Sequence, residues 1–274
     1  HIKIIERAVF LSSSLKYIEF APDNEIQIIG SSSFAESQIA EITIPIHVRE
    51  IESNAFDECF NLTDFIIPIN SELETIRRDA FYNTPIEYLY IPSKLVNLED
   101  GWCTFTRDLY DVKISPDNEA YKMFPEYDHQ VIVGKSDLNS DVFDVLVFAC
   151  RDVLFVSFPP NIKIIAPFAF TDLSMTNVSI PHQVTIISNS SFSDCHNLSK
   201  VEIPNNSQLQ IIEHEAFAGS AVESIFIPSK VKEIGGSVFS ECFNLLIIEF
   251  DENSEISLLE KTSFVDYGEI CEST

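Results

Sequence analysis

The chain has 274 residues, of which 43 are Asp or Glu and 17 are Lys or Arg, for a formal net charge of −26. Such a surplus repels phosphate backbones and anionic lipid, which argues against a nucleic-acid-binding role and favours basic partners. With 45% hydrophobic residues and 22 Phe there is material for a continuous core, yet no apolar run approaches the roughly 18 residues a membrane-spanning helix requires.

From its first residues the chain repeats one line. It reads as an apolar residue, two variable ones, an apolar residue, a variable one, then Ile-Pro, an apolar pair, and finally a small residue with Phe. Segments 62–86, 175–198 and 222–245 are clear copies. The terminal Phe falls at Phe10, Phe34, Phe56, Phe81 and Phe105, then at Phe170, Phe192, Phe217, Phe239 and Phe264. Self-similarity at this period is the mark of a solenoid, whose units bury their apolar faces only against one another. Because His1 opens in mid-repeat, the chain reads as an excerpt of a longer array.

Within a unit, residues such as Ile225-Phe226-Ile227 alternate with period two and predict a short strand with one face inward. Pro45, Pro68, Pro92, Pro181, Pro204 and Pro228 end it, because Pro cannot donate to a ladder. The next apolar pair, Val184 with Ile187 or Val231 with Ile234, predicts a second short strand. Ala55-Phe56, Ala80-Phe81 and Ala216-Phe217 then predict a helical or 3₁₀ turn that carries Phe into the core. From Phe170 the spacing runs 22, 25, 22 and 25 residues, so two coil types alternate.

Cys59, Cys195 and Cys242 each stand three residues after a core Phe. Coils two apart are separated by roughly 10 Å at ordinary strand spacing, beyond the reach of a disulfide, so these read as small buried thiols. Between Phe105 and Phe170 the repeat is interrupted, and turn clusters at 115–118 and 134–137 predict a hairpin excursion. It serves either as a joint between repeat blocks or as a functional projection.

These residues resemble the BspA-like leucine-rich repeats, most closely at 44–62 and 227–245, and the resemblance runs over essentially the whole chain. The alternation of I-P-S-x-V units with N-S-x-L units resembles the versions expanded in parasitic protists. The resemblance implies a leucine-rich-repeat solenoid of about ten coils with a parallel β-strand ladder, short second strands and one hairpin-like interruption. The expected organisation is a single solenoid over 1–274, with repeat blocks at 1–105 and 158–274 and an irregular hairpin segment at 106–157. It further implies a secreted or cell-surface protein with adhesive or antigenic roles, host extracellular-matrix or cell-surface proteins as partners, and no catalytic motif. The alternative is a structural spacer or intracellular scaffold without a ligand of its own.

Chemistry-bearing motifs are few. Gly134-Lys135-Ser136 lacks the upstream Gly of a phosphate loop, since His129 stands there. Asp137, Asn139 and Asp141 imitate the start of a calcium loop, but Val142 and Phe148 occupy the required Gly and Glu positions. No metal, cofactor or catalytic set is expected. Sequons stand at Asn61, Asn177, Asn189, Asn197 and Asn205.

A partner would meet the outward positions of the strands. One column reads Glu19, Thr43, Ile66, Tyr90, then Ser179, Glu202, Phe226, Glu249, and the other Tyr17, Glu41, Asp64, Tyr88, then Asn177, Lys200, Ser224, Ile247. Two apolar islands result, Ile66 with Tyr88 and Tyr90, and Phe226 with Ile247. These are the candidate protein-binding residues, and an acidic rim around them would suit a basic ligand.

Overall fold

The computed structural model describes residues 2–124, 131–260 and 262–263. Two expected positions, Phe264 and Cys271, lie outside these. Contacts divide the chain into two compact units, His1–His129 and Gln130–Thr274. Both are parallel β-solenoids, and no helix occurs among the described residues.

In chain order the first unit contains β1 (Ile4–Ile5), β2 (Ile28–Ile29), β3 (Glu41–Thr43), β4 (Glu50–Ile51), β5 (Asp64–Ile66), β6 (Thr75–Ile76), β7 (Tyr88–Ile91), β8 (Asn97–Leu98), β9 (Asp111–Ile114) and β10 (Tyr121–Phe124). The two-residue strands form one parallel ladder in the order β1-β2-β4-β6-β8. The strands that precede each Pro form parallel pairs, β3 with β5 and β7 with β9. Their central residues Ile42, Phe65, Leu89 and Val112 are buried.

The second unit contains β11 (Val131–Gly134), β12 (Val145–Ala149), β13 (Ile164–Ile165), β14 (Asn177–Ser179), β15 (Ile186–Ile187), β16 (Lys200–Glu202), β17 (Ile211–Ile212), β18 (Ser224–Ile227), β19 (Glu233–Ile234), β20 (Ile247–Phe250) and β21 (Leu258–Leu259). Here β11 and β12 pair antiparallel, which is the expected hairpin. From β12 a parallel ladder runs through β13, β15, β17, β19 and β21. A second runs through β14, β16, β18 and β20. After each Pro the chain turns at once: the Pro45, Pro92, Pro181 and Pro228 carbonyls accept the N–H three residues on.

The segment carrying the core Phe differs from the helical turn the sequence suggests. The residues two before and two after the Phe are left-handed, as at Asn54 and Glu58 around Phe56 or Ser190 and Asp194 around Phe192. Paired left-handed residues cannot propagate a right-handed helix. They instead aim the backbone along the solenoid, so that Phe34 N–H donates to Ala55 O at 2.9 Å and Phe192 N–H to Ala216 O at 2.8 Å. Coil thus bonds to coil through the turns as well as the strands.

The rings stack in the same direction. In the first unit Phe10, Phe34, Phe56 and Phe81 follow one another with centroids 5.0, 5.1 and 5.7 Å apart. In the second, Phe170, Phe192, Phe217 and Phe239 do so at 4.8, 5.2 and 5.8 Å. Phe105 does not continue the first stack. Phe81 N–H donates to Trp102 O at 3.0 Å and Asn83 N–H to Thr104 O at 3.0 Å, which puts Cys103 in the Phe position and Phe105 at the left-handed corner. Trp102 compensates by meeting Phe81 edge-on at 6.3 Å.

Cys59, Cys195 and Cys242 are buried thiols. Each Sγ donates at 3.0 Å to the carbonyl of a Phe in the preceding coil, Phe34, Phe170 and Phe217 respectively. Burial pushes the Cys59 thiol up to about 11 and that of Cys195 to about 12. Cys103 and Cys150 are also buried.

Candidate protein-binding surface

Strand registry aligns several of the outward positions across neighbouring strands. Tyr17 bridges to Glu41, Glu41 pairs with Asp64, and Thr43 with Ile66. In the second unit Asn177 pairs with Lys200, Ser179 with Glu202, Ser224 with Ile247, and Phe226 with Glu249. The alternating pleat forces this result: once Ile225 or Leu89 is buried, its neighbours on either side must face out.

In the first unit Ile66 ends β5, and Tyr88 and Tyr90 lie on β7, where Ile66 and Tyr88 are 43% and 39% exposed. The strand next to β7 escapes the sequence pattern, in which the strand line is lost after Phe105. In the structure β9 continues that line, with Tyr88 opposite Asp111 and Tyr90 opposite Lys113. The Lys113 ammonium lies 5.3 Å from the Tyr88 ring centroid and 3.7 Å from Asp111 Oδ2. Burial, then the Asp111 and Tyr90 charges, raise the Tyr88 phenol above its ordinary value, so it stays a neutral donor. The signal that could have found β9 is the run Leu109 to Pro116, which keeps the strand line with one residue inserted before Pro.

In the second unit Phe226 is half-buried and Ile247 is 54% exposed. They sit diagonally on β18 and β20 and line one shallow groove of about 670 Å³ with Lys200, Glu202 and Glu249. Lys200 and Glu202 form an ion pair on β16, which holds the Glu202 carboxyl below its ordinary range. The two islands therefore stand in different units. The structure brings Tyr88 and Tyr90 together on one strand, and Phe226 and Ile247 into one groove.

Among the described residues no group of three or more His, Cys, Asp or Glu is placed to hold a metal ion. Asp137 accepts from the backbone and side chain of Asn139, folding back on its own turn. Ser136 binds Asp144 through both its N–H and its hydroxyl. Of the sequons, Asn61, Asn177, Asn197 and Asn205 are exposed and Asn189 is half-buried. No described helix is long and apolar enough to cross a membrane.

Coils built from one outward strand, one short strand and a turn-borne core residue define a leucine-rich-repeat solenoid. A family model described as the BspA type leucine rich repeat region matches residues 1–116 and 145–269, and the chain belongs to that family. No curated protein matches. The crystal structure of the pneumococcal vaccine antigen PcpA is similar at a TM-score of 0.82 and 22% identity, over 92% of this chain. The chain spans 60% of that antigen's length. A leucine rich cell surface protein from Faecalibacterium prausnitzii is similar at a TM-score of 0.61 and 22% identity, over 86% of this chain and 74% of that one. A leucine-rich repeat protein from Eubacterium ventriosum gives 0.57 at 14% identity, over 88% and 77%. At these identities the likeness speaks for the fold.

Proposed function

We propose that the chain is a non-catalytic binding module of a cell-surface or secreted protein, engaging host extracellular-matrix or cell-surface proteins through its outward strands. The observation that carries this reading is the pair Tyr88 and Tyr90, held outward on a hydrogen-bonded strand beside Ile66 and Lys113. Tyr combines large contact area with a hydrogen-bonding tip, and a rigid strand loses little freedom on binding. Phe226 and Ile247 offer a second, smaller contact. Two structural neighbours, a vaccine antigen and a cell surface protein, support the surface location.

The test is binding of the purified chain to immobilised extracellular-matrix proteins and to intact host cells at physiological salt. Saturable binding is expected. Its absence across the panel would leave a spacer, without a ligand of its own, as the better account.

A further inference from the structure

The outward face of the first unit sets two carboxylates against each other. Glu41 on β3 and Asp64 on β5 stand directly opposite in the parallel register, and both are exposed. Like charges facing one another across strands destabilise a sheet. The other described registers of the outward strands contain no such pair: Lys200 stands opposite Asn177 and Ser224, Lys113 opposite Tyr90, and Glu249 opposite Phe226.

No cation of the chain relieves this pair. Among the described residues neither carboxylate forms an ion pair, and the Thr63 hydroxyl donates to Asp64 Oδ2 at 2.8 Å. The bases of the unit serve other acids. Arg77 joins Glu50 to Glu99, Arg49 and Lys94 reach Glu72, and Lys113 reaches Asp111.

Aromatic rings bound the pair at both ends. Tyr17 is the register neighbour of Glu41 and is 70% exposed. Tyr88 begins β7, which lies against β5 on the far side. The Tyr88 ring already faces the Lys113 ammonium, whereas the Tyr17 ring faces no cation among the described residues. Tyr17, Glu19 and Glu41 also line a shallow groove of about 570 Å³, whose described lining contains no basic side chain.

We propose that this face receives an arginine side chain of the partner protein, its guanidinium bridging the Glu41 and Asp64 carboxylates and stacking on Tyr17. A guanidinium holds its donors in a fixed planar fork that can meet two carboxylates at once, and its weakly hydrated face packs on an aromatic ring. The free chain carries the repulsion between the two carboxylates, and the bound cation removes it. The inference rests on the protein-binding reading and adds Tyr17, Glu41 and Asp64 to its surface. It narrows the basic ligand expected from net charge to one that offers arginine.

The test is fluorescence polarisation of a labelled octapeptide, with Arg at every third position and Ser elsewhere, titrated with the intact chain at physiological salt. Comparison peptides replace Arg by Lys or by citrulline, its uncharged isostere. Glu41→Gln/Asp64→Asn removes both charges at constant side-chain size. Glu223→Gln/Glu252→Gln removes two exposed charges in the second unit, as a control for net charge. The arginine peptide is expected to bind the first variant at least about tenfold more weakly than wild type, and the control within about twofold. The lysine and citrulline peptides are expected to bind wild type more weakly than the arginine peptide. In thermal melts without peptide, the first variant is expected to unfold above wild type, because the repulsion is gone. Undiminished affinity in the first variant, an equal loss in the control, or equal binding of either comparison peptide would overturn the arginine assignment. A first variant that melts below wild type would overturn the unrelieved repulsion on which the assignment stands. If the peptides fail while the chain still binds immobilised proteins, the arginine inference alone falls; if both fail, the binding reading falls with it.

Discussion

The two phenylalanine stacks are built by the same rule and end differently. In the second unit the column runs from Phe170 to Phe239 with rings nearly parallel, interplanar angles being 4° to 8°. In the first it stops at Phe81, and the next coil fills the space with Cys103 and an edge-on Trp102. A coil can therefore surrender its Phe if a neighbouring position supplies equivalent volume. That exchange occurs in the coil leading into β9 and β10.

This comparison can be broken most severely at Phe192, which is fully buried between two rings. Phe192→Ala is expected to cost about 3–5 kcal/mol, read from denaturant unfolding. A cost near 1 kcal/mol would mean that the stack is decoration. Restoring the missing ring gives the converse test. Because Trp102 occupies the space, Cys103→Phe is expected to overpack and cost about 1–3 kcal/mol. A stabilised variant would show that the first column ends in a void.

A third contrast is electrostatic. Asp57, Asp79 and Asp100, all in the first unit, are raised above the ordinary 3.8, foremost by burial. A raised carboxyl favours the folded state while protonated. Its contribution is fully present below the ordinary value and is lost as pH rises through the raised one. First-unit amides should accordingly lose hydrogen-exchange protection relative to second-unit amides as pH rises from about 4 toward 7. Asp57→Asn should flatten the trend, and a parallel response of both units would refute it.

The smallest effect should be shared by both units. Ser33 and Ser191 stand where other coils have Ala, and their buried hydroxyls make no hydrogen bond. Ser33→Ala and Ser191→Ala are each expected to stabilise by about 1 kcal/mol in thermal unfolding. Destabilisation would indicate a partner for the hydroxyl.

Where sequence reasoning succeeded, a period forced the answer. Once Ile42, Phe65 or Ile225 is placed inside, the pleat dictates that Thr43, Ile66 and Phe226 face out. The misplacement of Phe105 came from trusting residue type over spacing. From Phe81 a step of 22 residues leads to Cys103, as the alternation of 22 and 25 requires, whereas Phe105 needs 24. The helical turn was misread because the left-handed positions carry no consistent signal: Ala8, Glu58, Phe168 and Glu215 occupy them, although none favours that conformation. The ladder of turn-to-turn hydrogen bonds imposes it. Tyr88 and Tyr90 were legible as outward residues, but their neighbour β9 was not, because one inserted residue, Ser115, separates its Ile from Pro116.

The most direct measurement compares the two islands in one protein. Tyr88→Ala/Tyr90→Ala and Phe226→Ala/Ile247→Ala, each confirmed as folded, would be titrated against whichever immobilised host protein the wild-type chain binds. The first variant is expected to weaken binding by at least about tenfold, since aromatic anchors dominate such contacts, and the second by less. Undiminished binding by both would contradict the strand face as the site of recognition.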